Sequence, residues 1–316
     1  MSPGGGVDLT TRVGSLELAT PVATAAGTAG HGAELAAYLD LGALGAHVVK
    51  SLAADPWPGN PAPRVWPLRA GMLNSVGLQG PGILAWRREH LDALVRSGAR
   101  VVVSIWGRSV AEFGRAGELL RELPDCVVGV EVNVSCPNLE RGGAMFAHSP
   151  EATAAAVGAA AVCGLPLSVK LSAGTPALVA VAGAALEAGA ESLVLLNTLA
   201  GMAIDLATRR PALGAGGGGV SGAPLHALAV RAVYDCRAAY PGAGIWGVGG
   251  VETGEDAVEL LLAGADAVQV GTATLAEPRA ALRVRDELVS WCAAHGVSAV
   301  RELVSAAHGA PGDGRG

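Results

Sequence analysis

Hydrophobic and polar positions along this chain follow two different periods. Short apolar runs occur at residues 21–25, 46–50, 101–106, 128–134, 167–171, 192–196, 244–248 and 267–270. Between most of them the pattern lengthens into Ala- and Leu-rich stretches with helical spacing. A strand followed by a helix, repeated in this way, predicts an α/β fold built on a parallel sheet. The repeat fits either a (β/α)8 TIM barrel or an open doubly wound sheet. Residues 7–13 and 16–19 precede it and read as an N-terminal β-hairpin, suited to plugging a barrel floor. No shift of composition marks a second domain, so residues 1–308 are expected to form one barrel domain and residues 309–316 a disordered tail.

Three connections are long for this architecture: 51–82, 137–150 and 198–222. Each follows a strand, which places it over the carboxyl-terminal face where barrels keep their active sites. The last contains Gly214 to Gly219, a formal G-x-G-x-x-G. It follows Arg209-Arg210-Pro211 rather than a strand, so a dinucleotide site is not expected there and a flexible loop is. Gly247-Val248-Gly249-Gly250 and Gly271-Thr272-Ala273 end the last two strands, where barrels bind phosphate through backbone N–H groups. That placement favours the barrel over the open sheet.

Composition narrows the function. Hydrophobic residues make up 51% of the 316, but 46 are glycine and aromatics are only 3%, which suits close packing of helix on strand. A formal net charge of −6 without a basic run argues against a nucleic-acid surface. The amino terminus lacks the basic and apolar regions of a signal peptide, and no strongly apolar stretch reaches about 18 residues, so neither secretion nor a membrane is expected. Cys126, Cys136, Cys163, Cys236 and Cys292 are odd in number and include no C-x-x-C pair. No zinc or iron–sulfur site is therefore encoded, and reduced thiols point to the cytoplasm.

The scarce polar residues cluster at strand ends. Of 22 basic residues only Lys50 and Lys170 are lysines, both at or near the end of a predicted strand. Arginine cannot replace a compact ammonium where chemistry needs one. Four of the five asparagines, Asn74, Asn133, Asn138 and Asn197, lie at strand ends or in the adjoining long loops, whereas Asn60 reads as ordinary loop. The apolar run at 128–134 leads into Ser135-Cys136-Pro137, and Pro137 forbids further ladder pairing, so Cys136 is presented at a strand's carboxyl end. Snorkelling lysines and capping asparagines would explain any one of these positions. Together they describe a pocket for a planar, carbonyl-rich anion such as a pyrimidine carboxylate. His31, His47 and His148 are within reach of the same face.

Asn133-Val134-Ser135-Cys136-Pro137-Asn138, with Lys50-Ser51, Asn74-Ser75-Val76-Gly77-Leu78, Asn197-Thr198, Gly249-Gly250 and Gly271-Thr272, resembles dihydroorotate dehydrogenase over almost the whole chain. Cysteine at the base position matches class 1, and Gly71 to Gln79 is more similar to the NAD-linked 1B catalytic subunit than to the fumarate-linked subclass. The resemblance implies an FMN-containing barrel that oxidises dihydroorotate to orotate in pyrimidine biosynthesis. Cys136 would remove the C5 proton as general base while the C6 hydride passes to flavin N5, and Lys170 would offset negative charge on the reduced flavin. Substrate would be held by Lys50, Asn74, Val76, Gly77, Leu78, Asn133, Asn138, Asn197 and Thr198. The flavin would contact Ala26, Gly27, Lys50, Ser51, Ser104, Asn133, Lys170, Leu196 and Gly222, with its phosphate on Gly249, Gly250, Gly271 and Thr272. The resemblance further implies a homodimer and, for the NAD-linked subclass, a partner subunit carrying FAD and an iron–sulfur cluster. Ala26, Gly80 and Ala173-Gly174 depart from the family's usual residues.

Three other readings fit parts of the pattern. A dihydropyrimidine dehydrogenase-like flavin domain would share the cysteine but take a neutral ring. A non-catalytic FMN- or pyrimidine-binding paralogue would keep the pocket without turnover. A Schiff-base aldolase would use Lys170 on a carbonyl.

Overall fold

The computed structural model describes residues 6–136 and 145–309. Eight parallel strands form one sheet: β1 (Val22–Thr24), β2 (His47–Leu52), β3 (Val101–Ile105), β4 (Val127–Asn133), β5 (Leu167–Lys170), β6 (Ser192–Leu195), β7 (Gly244–Val248) and β8 (Ala267–Val270). Each pairs with its neighbour in sequence from β2 to β8, and β8 pairs with β1. Between β1 and β2 the closure is looser. Gly45 donates its N–H to the Val22 carbonyl at 2.9 Å, Thr24 to that of Ala46 at 3.2 Å, and Val48 to Thr24 Oγ1 at 3.0 Å. The sheet is thus a TIM barrel, as the strand–helix repeat and its glycine-rich ends predicted. Residues 310–316 of the expected tail lie outside the described residues.

The strands are buried on both faces, as a helix-wrapped barrel requires. Serine or threonine starts three of the crossover helices: Ser109 caps Val110–Leu119, Ser149 caps Pro150–Ala160, and Thr253 with Asp256 closes a capping box on Gly254–Leu262. Only the first unit lacks an α-helix. Its connection holds two 3-10 segments, Glu34–Ala37 and Leu41–Ala43, the second capped by the Asp40 side chain, which accepts from Gly42 N.

The predicted hairpin forms between Thr11–Val13 and Leu16–Leu18, turned at Gly14, whose φ of +60° favours glycine. Val13 and Leu18 enter the barrel interior beside Ala46, Val102, Val194 and Trp246, closing the amino-terminal floor.

At the opposite face two of the long loops fold together. Leu199–Gly201, Gly218–Ser221, Met72–Asn74 and Val65–Pro67 make a four-stranded antiparallel sheet in that order. The expectation of a flexible loop at Gly214–Gly219 is corrected here, since Gly218 and Gly219 lie within a strand. Their glycines are there for space: a Cβ on Gly218 would sit 2.3 Å from the Asn74 carbonyl oxygen, and one on Gly219 would sit 2.1 Å from Thr198 Oγ1.

Candidate active site

A cavity of about 650 Å³ opens between the carboxyl ends of the barrel strands and this second sheet. Its size falls within the range of small-molecule sites, about 300–1,000 Å³. The strands deliver the residues that the sequence singled out. Ala26 and Gly27 follow β1, Lys50 and Ser51 end β2, Asn133 ends β4, and Lys170 ends β5. Leu196, Asn197 and Thr198 follow β6, Gly249 and Gly250 follow β7, and Gly271 and Thr272 follow β8. The second sheet and its loops add Asn74, Val76, Gly77, Leu78 and Gly222.

Two predicted residues do not line the cavity. Ser104, on β3, stands behind Ser51 with the hydroxyl oxygens 2.8 Å apart. Cys136 is fully buried, and its thiol donates to the Gly107 carbonyl at 2.9 Å and toward the Asn133 carbonyl at 3.4 Å. Burial pushes this thiol up to about 12, against the lowering effect of the Gly107 bond. Asn138, expected to bind substrate, lies outside the described residues.

Sequence reasoning also missed several lining residues. Asn60, set aside as ordinary loop, lines the cavity; its Nδ2 donates to Ser75 Oγ at 2.7 Å and its backbone N–H to Val76 O at 3.1 Å. Gly77, with φ +71°, leaves the room this contact needs, since a Cβ there would be 2.4 Å from Asn60 Cγ. Ser135 and Met145 line the site as well; of the three histidines expected within reach of this face, His148 lines it and His31 and His47 do not. The signal for Ser135 was its place beside Cys136 in the same motif.

The asparagines are locked by one another. Asn133 Oδ1 accepts from Asn197 Nδ2 and from Ser135 N, both at 3.1 Å, while Asn133 Nδ2 donates to Ser51 Oγ at 3.3 Å. Asn197 Oδ1 accepts from Thr198 N at 2.8 Å. Asn74 Nδ2 donates to the Gly219 carbonyl at 3.2 Å, tying the two long loops together above the cavity.

The electrostatics favour an anion. Lys170 is 6% exposed, and burial followed by the neighbouring Arg64 lowers the Lys50 ammonium from its ordinary value. Among the described residues neither lysine has a carboxylate partner. A buried ammonium without a counter-charge is costly, so a ligand that brings negative charge is strongly favoured.

The far end of the cavity can hold a phosphate-bearing group. Gly249 and Gly250 take φ of +132° and +65°, and a Cβ on Gly250 would lie 2.7 Å from His226 Cβ. Positive φ and the close approach of His226 thus require glycine at this part of the cavity lining. Ser221 and Ser135 each carry a buried hydroxyl oxygen with no hydrogen-bond partner among the described residues, and both residues line the cavity. Such groups call for a ligand's polar atoms. Among the described residues no group of three or more His, Cys, Asp or Glu could hold a metal ion, and no helix is long and apolar enough to cross a membrane.

Comparison with known proteins agrees with this geometry. The dihydroorotate dehydrogenase family model matches residues 8–291. The catalytic subunit of dihydroorotate dehydrogenase B (NAD(+)) from Geotalea uraniireducens is 42% identical over 300 residues, covering 95% of this chain and 98% of that one. Its namesake from Desulforudis audaxviator is 44% identical over 297 residues, covering 94% and 96%. A putative dihydroorotate dehydrogenase A (fumarate) from Solibacter usitatus is 43% identical over 299 residues, covering 94% and 97%. The crystal structure of DHODH from Eimeria tenella, in complex with ferulenol, shares the fold with a TM-score of 0.73 at 22% identity, covering 96% of this chain and 89% of that one.

Proposed function

The chain belongs to the dihydroorotate dehydrogenase family, and from that premise we propose that it oxidises dihydroorotate to orotate in this cavity with FMN as its flavin. The observation that carries the reading is a buried lysine, Lys170, and a half-buried one, Lys50, neither with a carboxylate partner among the described residues, in a cavity rimmed by asparagine amides. Dihydroorotate supplies a carboxylate and ring carbonyls to those groups, and FMN supplies a phosphate to the backbone at Gly249, Gly250, Gly271 and Thr272. Bound FMN would serve as the hydride acceptor.

The chain's own residues would act as follows. Lys170 would hold a positive charge beside a bound flavin, where it would favour the reduced form. Lys50 would reach both ligands. Asn74, Asn133, Asn197, Thr198 and the backbone from Val76 to Leu78 would orient the substrate ring; leaving such groups unpaired is what rejects a wrong ligand. Cys136 would take the C5 proton. Its thiol begins protonated and turned to the Gly107 carbonyl, so the reading requires that it first give up that proton to solvent and then, as the thiolate, face the substrate. Ser135, already lining the cavity next to it, supports a path of that kind.

The relatives described as NAD(+) catalytic subunits support an NAD-linked enzyme that works with a second subunit, and the family resemblance implies that this partner carries FAD and an iron–sulfur cluster. We place the protein in the cytoplasm as a homodimer; the free state of all five cysteines is consistent with a reducing compartment.

Anaerobic mixing of the flavin-loaded protein with dihydroorotate should bleach the flavin, and dihydrouracil should not. NAD, fumarate and a quinone, added in turn with and without the partner subunit, then identify the acceptor. Bleaching by dihydrouracil alone would replace this reading with a neutral-ring dehydrogenase, and a bound pyrimidine without bleaching would make the protein a binding paralogue.

A further inference from the structure

Directly beneath the asparagines the barrel interior holds a carboxylate. Glu131 stands two residues before Asn133 on β4, on the same face of the strand, and is fully buried. Its Oε1 accepts from Ser104 Oγ at 3.1 Å, and its Oε2 accepts from Gln269 Nε2, on β8, at 3.2 Å. Ser104 lies opposite Glu131 in the β3–β4 register. From there the contacts lead upward: Ser104 Oγ to Ser51 Oγ at 2.8 Å, and Ser51 Oγ to Asn133 Nδ2 at 3.3 Å.

Proton counting gives this chain a direction. A hydroxyl has one hydrogen. That of Ser104 goes to Glu131, so Ser51 must donate to Ser104, and Ser51 Oγ is left to accept from Asn133. The amide of Asn133 therefore turns its nitrogen toward Ser51 and its oxygen toward Ser135 N and Asn197 Nδ2. Two backbone N–H groups, which can only donate, fix the same orientation from the other side: Ser135 N on Asn133 Oδ1 and Thr198 N on Asn197 Oδ1. Both amide oxygens are consumed inside the protein. Each amide keeps one N–H without a partner among the described residues, and both residues line the cavity.

We propose that Glu131 is a positioning residue: through Ser104 and Ser51 it fixes the amide of Asn133, and through Asn133 that of Asn197, so that the cavity floor offers N–H donors to an acceptor-rich ligand. With Lys50 and Lys170 beside them, these donors select carbonyl and carboxylate oxygens over ring N–H groups. The proposal deepens the functional reading above and rests on it for the identity of the ligand.

The test compares orotate binding, followed through the absorbance of the oxidised flavin, in the wild-type holoenzyme and in E131L, E131Q and S104A. Removing the acceptor in E131L frees the Ser104 hydrogen to point at Ser51, so that the Ser51 hydroxyl can turn its own hydrogen toward Asn133 Nδ2, donor against donor, and disturb the amide that Ser135 N holds from the other side. E131L and S104A should each weaken orotate about tenfold, the scale of one misdirected buried hydrogen bond. E131Q should stay within about threefold of wild type. Its carbonyl can still take the Ser104 hydrogen, and its N–H can meet Gln269 Oε1, which is buried and has no partner among the described residues. In an N133A background E131L should add no further loss, because its effect travels through that amide. A purely structural role would lower the melting temperature without the rescue by E131Q or the coupling to N133A.

Unchanged orotate binding in S104A, an E131Q as weak as E131L, or additive losses with N133A would each overturn the proposal. Failure of the wild-type holoenzyme to bind orotate would instead sink the functional reading on which it rests. S104A removes a single hydroxyl, so it keeps the test open should E131L not fold.

Discussion

The buried thiol of Cys136 makes a quantitative prediction. Burial raises it from an ordinary value of 9.0 to about 12, with Glu112 adding a smaller repulsion. At pH 8 an ordinary thiol of that kind is about one-tenth thiolate, whereas this one is about one part in ten thousand. The thiolate is the reactive form, so Cys136 in the resting holoenzyme should be alkylated about a thousandfold more slowly than an unperturbed cysteine of equal access. Iodoacetamide labelling, quantified at each cysteine by peptide mass spectrometry from pH 7 to pH 10, separates this cause from simple shielding. Shielding lowers the rate and leaves the midpoint alone. A raised pKa makes the logarithm of the rate climb with unit slope across the whole range, without levelling. The half-buried Cys126 provides an internal comparison in the same sample. Levelling of the Cys136 rate near pH 9 would refute the argument, because it would show that the thiol ionises as though it were in water. The sign for stability follows from the same shift. A thiol that stays protonated in the folded state while the unfolded chain ionises contributes fully below about pH 9, and that contribution is lost as the pH rises toward 12.

Gly219→Ala should drive a methyl into Thr198, whose Oγ1 and Cβ would lie 2.1 and 2.6 Å from it, lowering stability by about 1–3 kcal/mol and weakening orotate as well. Gly217→Ala, where the nearest atom is the Gly201 carbonyl oxygen at 3.3 Å, is the matched control, and equal denaturation midpoints for the two variants would contradict the packing argument. Lys170→Ala should leave dihydroorotate binding largely intact while slowing flavin reduction about a hundredfold in stopped-flow traces, the scale of losing one charge-stabilising group. A retained reduction rate would remove Lys170 from the chemistry.

Much of this protein was legible residue by residue. Val101–Ile105 and Val127–Asn133 are strands because continuous branched side chains suit a sheet buried on both faces, and that property is local. Lys50, Lys170, Asn133 and Asn197 could be picked out for a related reason: a polar residue placed at the end of an apolar run is presented where the strand stops. Asn60 was misjudged because its importance lies in the contacts with Ser75 and Val76, reached across a loop whose path no local pattern encodes. The second sheet escaped notice for the same reason. Its three-residue strands are too short for a period to show, and Met72–Asn74 finds its partner in Gly218–Ser221, far along the chain.

Local periodicity and scarcity, which belong to the sequence alone, determined the eight strands, the closing hairpin, and Lys50, Lys170, Asn74, Asn133, Asn197 and the strand-end glycines that face the cavity. Tertiary structure alone decided which way those residues point. The Cys136 thiol turns to Gly107, and the asparagine amides take their orientation from a carboxylate at Glu131 that reaches them through two serines on other strands. Hydrogen-bond direction depends on donors and acceptors that meet only after the barrel closes, and no spacing along the chain records it.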